Sequence, residues 1–66
     1  MLPTNEYALY NKGDTLKTLG NYRQAILYLD KALAINPKFE EALDDKAEAL
    51  NHLGNYTQAI LYLDKP

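Results

Sequence analysis

The chain has 66 residues, no cysteine, and seven Lys plus Arg against nine Asp plus Glu, for a net charge of -2. A single domain of this size buries only ~60% of the surface its unfolded form exposes, and without cysteine neither disulfides nor a thiolate metal cluster can supplement its core. The slightly acidic balance offers no field for phosphate backbones, which argues against nucleic acid. The longest apolar run, residues 25–29, falls far short of the ~20 residues a membrane helix needs. Met1-Leu2-Pro3 begins no signal peptide, so the expectation is a soluble, cytoplasmic chain with no membrane contact.

Four amphipathic helices fit the spacing of apolar residues between Gly and Pro punctuation. The first, roughly residues 5–18, offers Ala8, Leu9 and Leu16, with Gly13 between them as a point of close helix approach. The second carries the clearest stripe, in Tyr22, Ala25, Ile26, Leu29, Ala32 and Leu33, with Arg23, Gln24, Asp30 and Lys31 elsewhere. The third, roughly 39–52, offers Phe39, Ala42, Leu43, Ala47 and Leu50, and Ala47 occupies the place that Gly13 holds in the first. The fourth repeats the second with Tyr56, Ala59, Ile60 and Leu63.

The turns carry their own signatures. Gly20 and Gly54 suit the left-handed residue that ends a helix, Asn21 and Asn55 then stand as caps, and Gln24 and Gln58 complete a capping-box variant. Asn36-Pro37 stops the second helix, because proline disfavours helical geometry in the residue before it.

A fixed period underlies these elements. Leu19–Lys31 returns as Leu53–Lys65, thirty-four residues on, with Thr57 for Arg23 the only change in thirteen positions. Such a period marks stacked repeats, each covering the apolar face of its neighbour. The pattern resembles the tetratricopeptide repeat. Its residues are met in the first unit by Leu9, Gly13, Leu16, Gly20, Tyr22, Ala25, Leu29, Ala32 and Pro37, and in the second by Leu43, Ala47, Leu50, Gly54, Tyr56, Ala59 and Leu63. The resemblance implies an all-α fold of stacked antiparallel helical hairpins in a right-handed αα superhelix. It makes residues 1–66 one domain, with repeat one at about 6–39 and an incomplete repeat two at about 40–66. Lys12 and Lys46 stand where the family commonly has Leu and should thin the core.

The function implied is that of a protein–protein interaction scaffold. By the resemblance, the first helix of each hairpin lines a concave groove, which places Tyr7, Tyr10, Asn11, Asp14, Lys17 and Thr18 there, with Glu41, Asp44, Asp45, Glu48, Asn51 and His52 from the second unit. That surface is acidic. Tyr10, Asp14 and Asp45 replace the Lys, Arg and Asn with which chaperone-binding relatives clamp acidic tails, so such a tail is not the expected ligand; the sharper of two readings is a basic or amphipathic peptide, held by carboxylates and by the Tyr7 and Tyr10 rings. Simple solvation of these carboxylates is the plain alternative.

Residues 59–65 repeat a surface that in the first unit the next helix covers, and no further helix comes after them. Ile60, Leu61, Tyr62 and Leu63 are therefore expected to drive self-association into a homo-oligomer, by stacking or by helix exchange. A self-assembling structural fragment, or an engineered repeat with no ligand of its own, is the competing reading.

Chemistry is not expected. The chain has no cysteine, no serine, one histidine and no phosphate-binding loop, so no nucleophile, base and charge-stabilising set can be assembled. Glu48 and His52 lie one turn apart, with Asp44 or Asp45 a turn earlier, but a lone histidine is thin ground for a metal. No cofactor is expected.

Overall fold

The computed structural model describes residues 5–64, and within them the side chains of all but 58, 59 and 61–64. The architecture is all-α: α1 (Glu6–Thr18) and α2 (Tyr22–Ile35) form an antiparallel hairpin, and α3 (Glu40–Asp64) packs mainly against α2. Among the described residues no helix is long and apolar enough to cross a membrane.

The first hairpin is built as its sequence suggests. Asn5, with extended backbone, caps α1 by accepting the Ala8 N–H at 2.8 Å. At the other end Gly20 takes φ +88°; its N–H donates to the Lys17 carbonyl at 2.9 Å, and the Asn21 N–H donates to the Leu16 carbonyl at 2.8 Å. These two bonds are the Schellman closure, which needs a residue tolerant of positive φ. Asn21 does not cap α2 with its side chain, contrary to expectation. Its ψ of 71° differs from the 162° of Asn5, so its amide is not aimed along the helix, and the N–H that Gln24 would reach in a capping box is already bonded to Leu16.

Ala25, Leu29, Ala32, Phe39 and Ala42 are buried together, with Leu9, Tyr10, Leu16 and Leu33 packed around them. Leu29 is the one large side chain described as fully enclosed, and it lies over Gly13. A Cβ placed on Gly13 would meet Leu29 Cγ at 2.8 Å and the Ala25 carbonyl oxygen at 3.2 Å. Ala8 proves exposed, pointing away from α2. Lys12 and Lys46 do not enter the core: Lys12 Nζ stands 4.3 Å over the Tyr28 ring, lowering the Tyr28 pKa chiefly by its hydrogen bond, and Lys46 Nζ pairs with Asp30 at 2.7 Å. Each lysine lays its stem on α2 and keeps its charge outside.

Among the described residues the second hairpin is absent. A fourth helix was expected after a turn at Gly54, but α3 runs straight through Gly54 and Asn55 to Asp64, and Gly54 has no positive φ. The same residue types thus close a turn at Gly20 and continue a helix at Gly54, so tertiary packing decides between them. Behind Gly20, α2 is held by α1 on one side and α3 on the other. Residues 55–64 instead continue α3, and staying straight preserves every i to i−4 bond. The one residue that differs does not explain the change: the Thr57 hydroxyl donates to the Leu53 carbonyl at 2.9 Å, a back-bond that slightly weakens a helix, and Thr is a poorer helix former than Arg.

Straightening leaves the apolar positions meant for the fourth helix uncovered. Leu43 and Leu50 are 45% and 50% exposed and Ala47 is exposed; all three were expected in the core. Ala49 and Asp45 are buried in their stead, because α3 turns the face of 42, 45 and 49 to the first hairpin.

The three glycines therefore predict three different outcomes in urea denaturation monitored by circular dichroism. Gly54→Ala, in a helix with nothing within 4 Å of the new Cβ, is expected to stabilise by up to about 1 kcal/mol. Gly20→Ala, at positive φ, is expected to cost about 1 kcal/mol. Gly13→Ala gains helix propensity but collides with Leu29, and overpacking at about 1–3 kcal/mol should win. A Gly54→Ala variant as destabilised as Gly20→Ala would mean that Gly54 is a turn.

Candidate partner-binding face

Two clusters occupy the α1–α3 side. The first is aromatic: Tyr7 meets Phe39 edge-on with ring centroids 5.2 Å apart, and Tyr10 lies 5.0 Å from the same ring. Phe39 is buried and serves as the bed on which both tyrosines rest. Tyr7 is 63% exposed, so much of its ring is free to a ligand. Tyr10 is half-buried; burial first, and then the Asp45 charge, push its pKa up.

The second cluster is ionic, with Lys17 at its centre. Its Nζ lies 2.9 Å from Asp45 Oδ1 and 3.8 Å from Asp14 Oδ1, and it also pairs with Glu48. The bonds to Glu48 and Asp45 raise the lysine pKa, so it is charged throughout the useful pH range. Asp45 does not stand in the groove as a free carboxylate: it is 8% exposed, and its Oδ2 is buried without a hydrogen-bond partner. Burial, followed by the neighbouring Asp14, drives its pKa above the usual carboxylate value, against the pull of Lys17. Sequence alone could not show this, because burial of 45 depends on which face α3 turns inward.

The remaining groove candidates divide. Asn11, Thr18, Glu41, Asp44 and Asn51 are exposed, and the Asn11 and Asp14 carbonyls accept the Thr15 and Thr18 hydroxyls at 2.9 Å. His52 belongs elsewhere, stacked on Tyr22 with centroids 4.6 Å apart and planes 5° from parallel. Tyr56 stands 5.9 Å from Tyr22, completing an aromatic column that sequence reasoning missed; its signal was the pairing of Tyr22 and Tyr56 one period apart. Among the described residues no three His, Cys, Asp or Glu side chains gather as a metal site, and Asp45 and Glu48 are engaged by Lys17. Of the expected self-association residues, Ile60 is 59% exposed, and the side chains of Leu61, Tyr62 and Leu63 lie outside the described residues.

Comparison with curated proteins finds no match, and comparison with solved structures finds none. Two family models, each described as tetratricopeptide repeat, match residues 6–39 and 28–61. The first spans the α1–α2 hairpin with its Gly13 contact and Schellman turn; the second runs from within α2 far into α3. With just over half the chain under one of them and a matching all-α hairpin, the protein belongs to the tetratricopeptide repeat family, with about two repeats, and repeats of this family are in general non-catalytic modules of protein–protein interaction.

Proposed function

We propose that this chain is a two-repeat domain, with units at about 6–39 and 40–66, that captures a basic or amphipathic segment of another protein on the face formed by α1 and the first half of α3. The observation that carries this reading is the charge arrangement: the one cation of the cluster, Lys17, is already bound by Asp45 and Glu48, while Glu41 and Asp44 stay exposed and Glu41 is close enough to Tyr10 for its charge to raise the Tyr10 pKa. A Lys or Arg of the partner would meet carboxylates with an aromatic face alongside, and an acidic tail would meet like charge.

The test is fluorescence anisotropy with a labelled amphipathic Lys/Leu peptide and its Glu/Leu counterpart. The basic peptide is expected to bind, to weaken with salt, and to lose about tenfold or more in affinity with Glu41→Lys plus Asp44→Lys. Equal binding of both peptides, or indifference to the double variant, would overturn the reading.

A second reading is self-association through α3. It is supported by the exposure of Leu43, Leu50, Tyr56 and Ile60 on a single helix, since contiguous exposed apolar surface marks protein interaction sites.

A further inference from the structure

Resting on that second reading, we infer which face of α3 associates and how: two copies pair their α3 helices antiparallel about a two-fold axis. The seam is Leu43, Ala47, Leu50, Gly54 and Thr57.

These positions are separated by four, three, four and three residues, the heptad spacing that keeps one stripe facing a partner helix along its length. The stripe lies opposite the body of the protein. Buried Asp45 and Ala49 each sit two positions from Ala47, and two positions on a helix are about 200° apart. A second α3 can therefore lie along the stripe without touching α1 or α2 of either copy. A shallow groove lined by Ala47, Glu48, Leu50 and Asn51 marks the middle of this face.

Self-complementarity selects a copy of this chain as the occupant. With the two helices overlapping over the whole of Glu40–Asp64, ~37 Å, Ala47 faces Thr57 of the other copy, and Leu50 faces Gly54. Nothing stands within 4 Å of a Cβ built on Gly54, so the large Leu50 meets a position with room for it. Thr57 brings no unmet polar group, since its hydroxyl is bonded to the Leu53 carbonyl. The contact is isologous, each copy giving and receiving the same residues, and it closes at two.

Charge selects the antiparallel direction. The first part of α3 holds Glu40, Glu41, Asp44, Asp45 and Glu48 against Lys46, whereas residues 53–63 contain no charged side chain. Parallel pairing would bring the acidic segments together; antiparallel pairing sets each against residues 56–64, whose one charge is that of Asp64, and opposes the helix dipoles.

The experiment is sedimentation equilibrium from micromolar to millimolar concentration, with circular dichroism confirming helicity, on the wild type, Ala47→Lys, Leu50→Lys and Ile60→Lys. Residues 47 and 50 are exposed in the single chain, so their variants should stay folded. The expected result is a monomer–dimer equilibrium whose dissociation constant rises more than about tenfold in Ala47→Lys and Leu50→Lys. Direction is read by oxidation, the chain having no cysteine of its own: Leu50→Cys mixed with Gly54→Cys should give a disulfide-linked pair, and either variant alone far less. Association that survives the lysines at 47 and 50 but is lost in Ile60→Lys would overturn this seam and leave the self-association reading standing. A monomer at every concentration, as if residues 55–64 folded back on their own helix, would overturn both. Parallel cross-linking, with Leu50→Cys alone linking fastest, would overturn the antiparallel arrangement.

Discussion

Leu29→Ala is expected to remove most of the stability of this protein. Leu29 is the one large side chain described as fully buried, and it is closed in by Gly13 on α1 and by the alanines at 25 and 32 on its own helix. Truncation of such a residue costs about 2–5 kcal/mol, from lost burial and from the cavity left behind. A chain of this length holds roughly 3–10 kcal/mol in total, so the variant should be partly unfolded without denaturant. Leu27→Ala is the control, two positions along the same helix, where the leucine is 51% exposed; it should shift stability by about 0.5 kcal/mol or less. The cavity also has a specific remedy. Gly13→Ala collides with Leu29 in the wild type, but with the leucine shortened the new methyl occupies vacated space and adds helix propensity. In urea denaturation Gly13→Ala should therefore be destabilising alone and restorative in the Leu29→Ala background. The same sign in both backgrounds would mean that Leu29 and Gly13 do not share one contact.

That Gly13 marks a close helix approach was legible in the sequence, though not that Leu29 is the residue lying over it, because it rests on local rules: a glycine inside an apolar stripe, a Gly-Asn turn, and a facing helix of the right period. The Gly54 turn was not, although its residues are the same. A Schellman closure supplies only two backbone bonds, and the helix that continues instead supplies its own, so the packing available to the residues beyond the glycine settles the outcome. That single bend then misplaced Leu43, Ala47 and Leu50, whose burial presumed a fourth helix. On the α1–α3 face, residue identities gave the acidic character and the presence of two tyrosine rings. What spacing could not give was Asp45 inside and Lys17 drawn among its carboxylates, since positions 17 and 45 meet only once α3 has chosen which side to present. Phe39 was read as core, but its service as a platform for Tyr7 and Tyr10 needed the path of the chain after Pro37.

Lys17→Met should destabilise the fold by about 1–3 kcal/mol at neutral pH, the cost of leaving a buried acceptor unmet. This figure already allows for solvent screening, because the Asp14 and Glu48 side chains are 43% and 63% exposed and such partners contribute little. The weight falls on Asp45, whose side chain is 12% exposed and whose second oxygen has no partner. The pH dependence identifies it. Burial and Asp14 raise the Asp45 pKa in the folded state, so between the unfolded value near 4 and that raised value the native state binds more protons than the unfolded one. The contribution of Asp45 is fully present at low pH and is lost as pH rises through this window. Lys17 itself stays charged across that range, so in the wild type it offsets the ionised Asp45. Removing the lysine exposes the full penalty at pH 7, and lowering the pH to about 4 should shrink it as the carboxyl takes up a proton. Asp45→Asn should shrink it at every pH, because the amide carries no charge and can donate to Asp14. The destabilisation by Lys17→Met, measured in urea at both pH values with and without Asp45→Asn, is thus expected to be largest at pH 7 with aspartate present. An equal loss in all four conditions would mean that Lys17 acts through the packing of its stem and not through the carboxylates it binds.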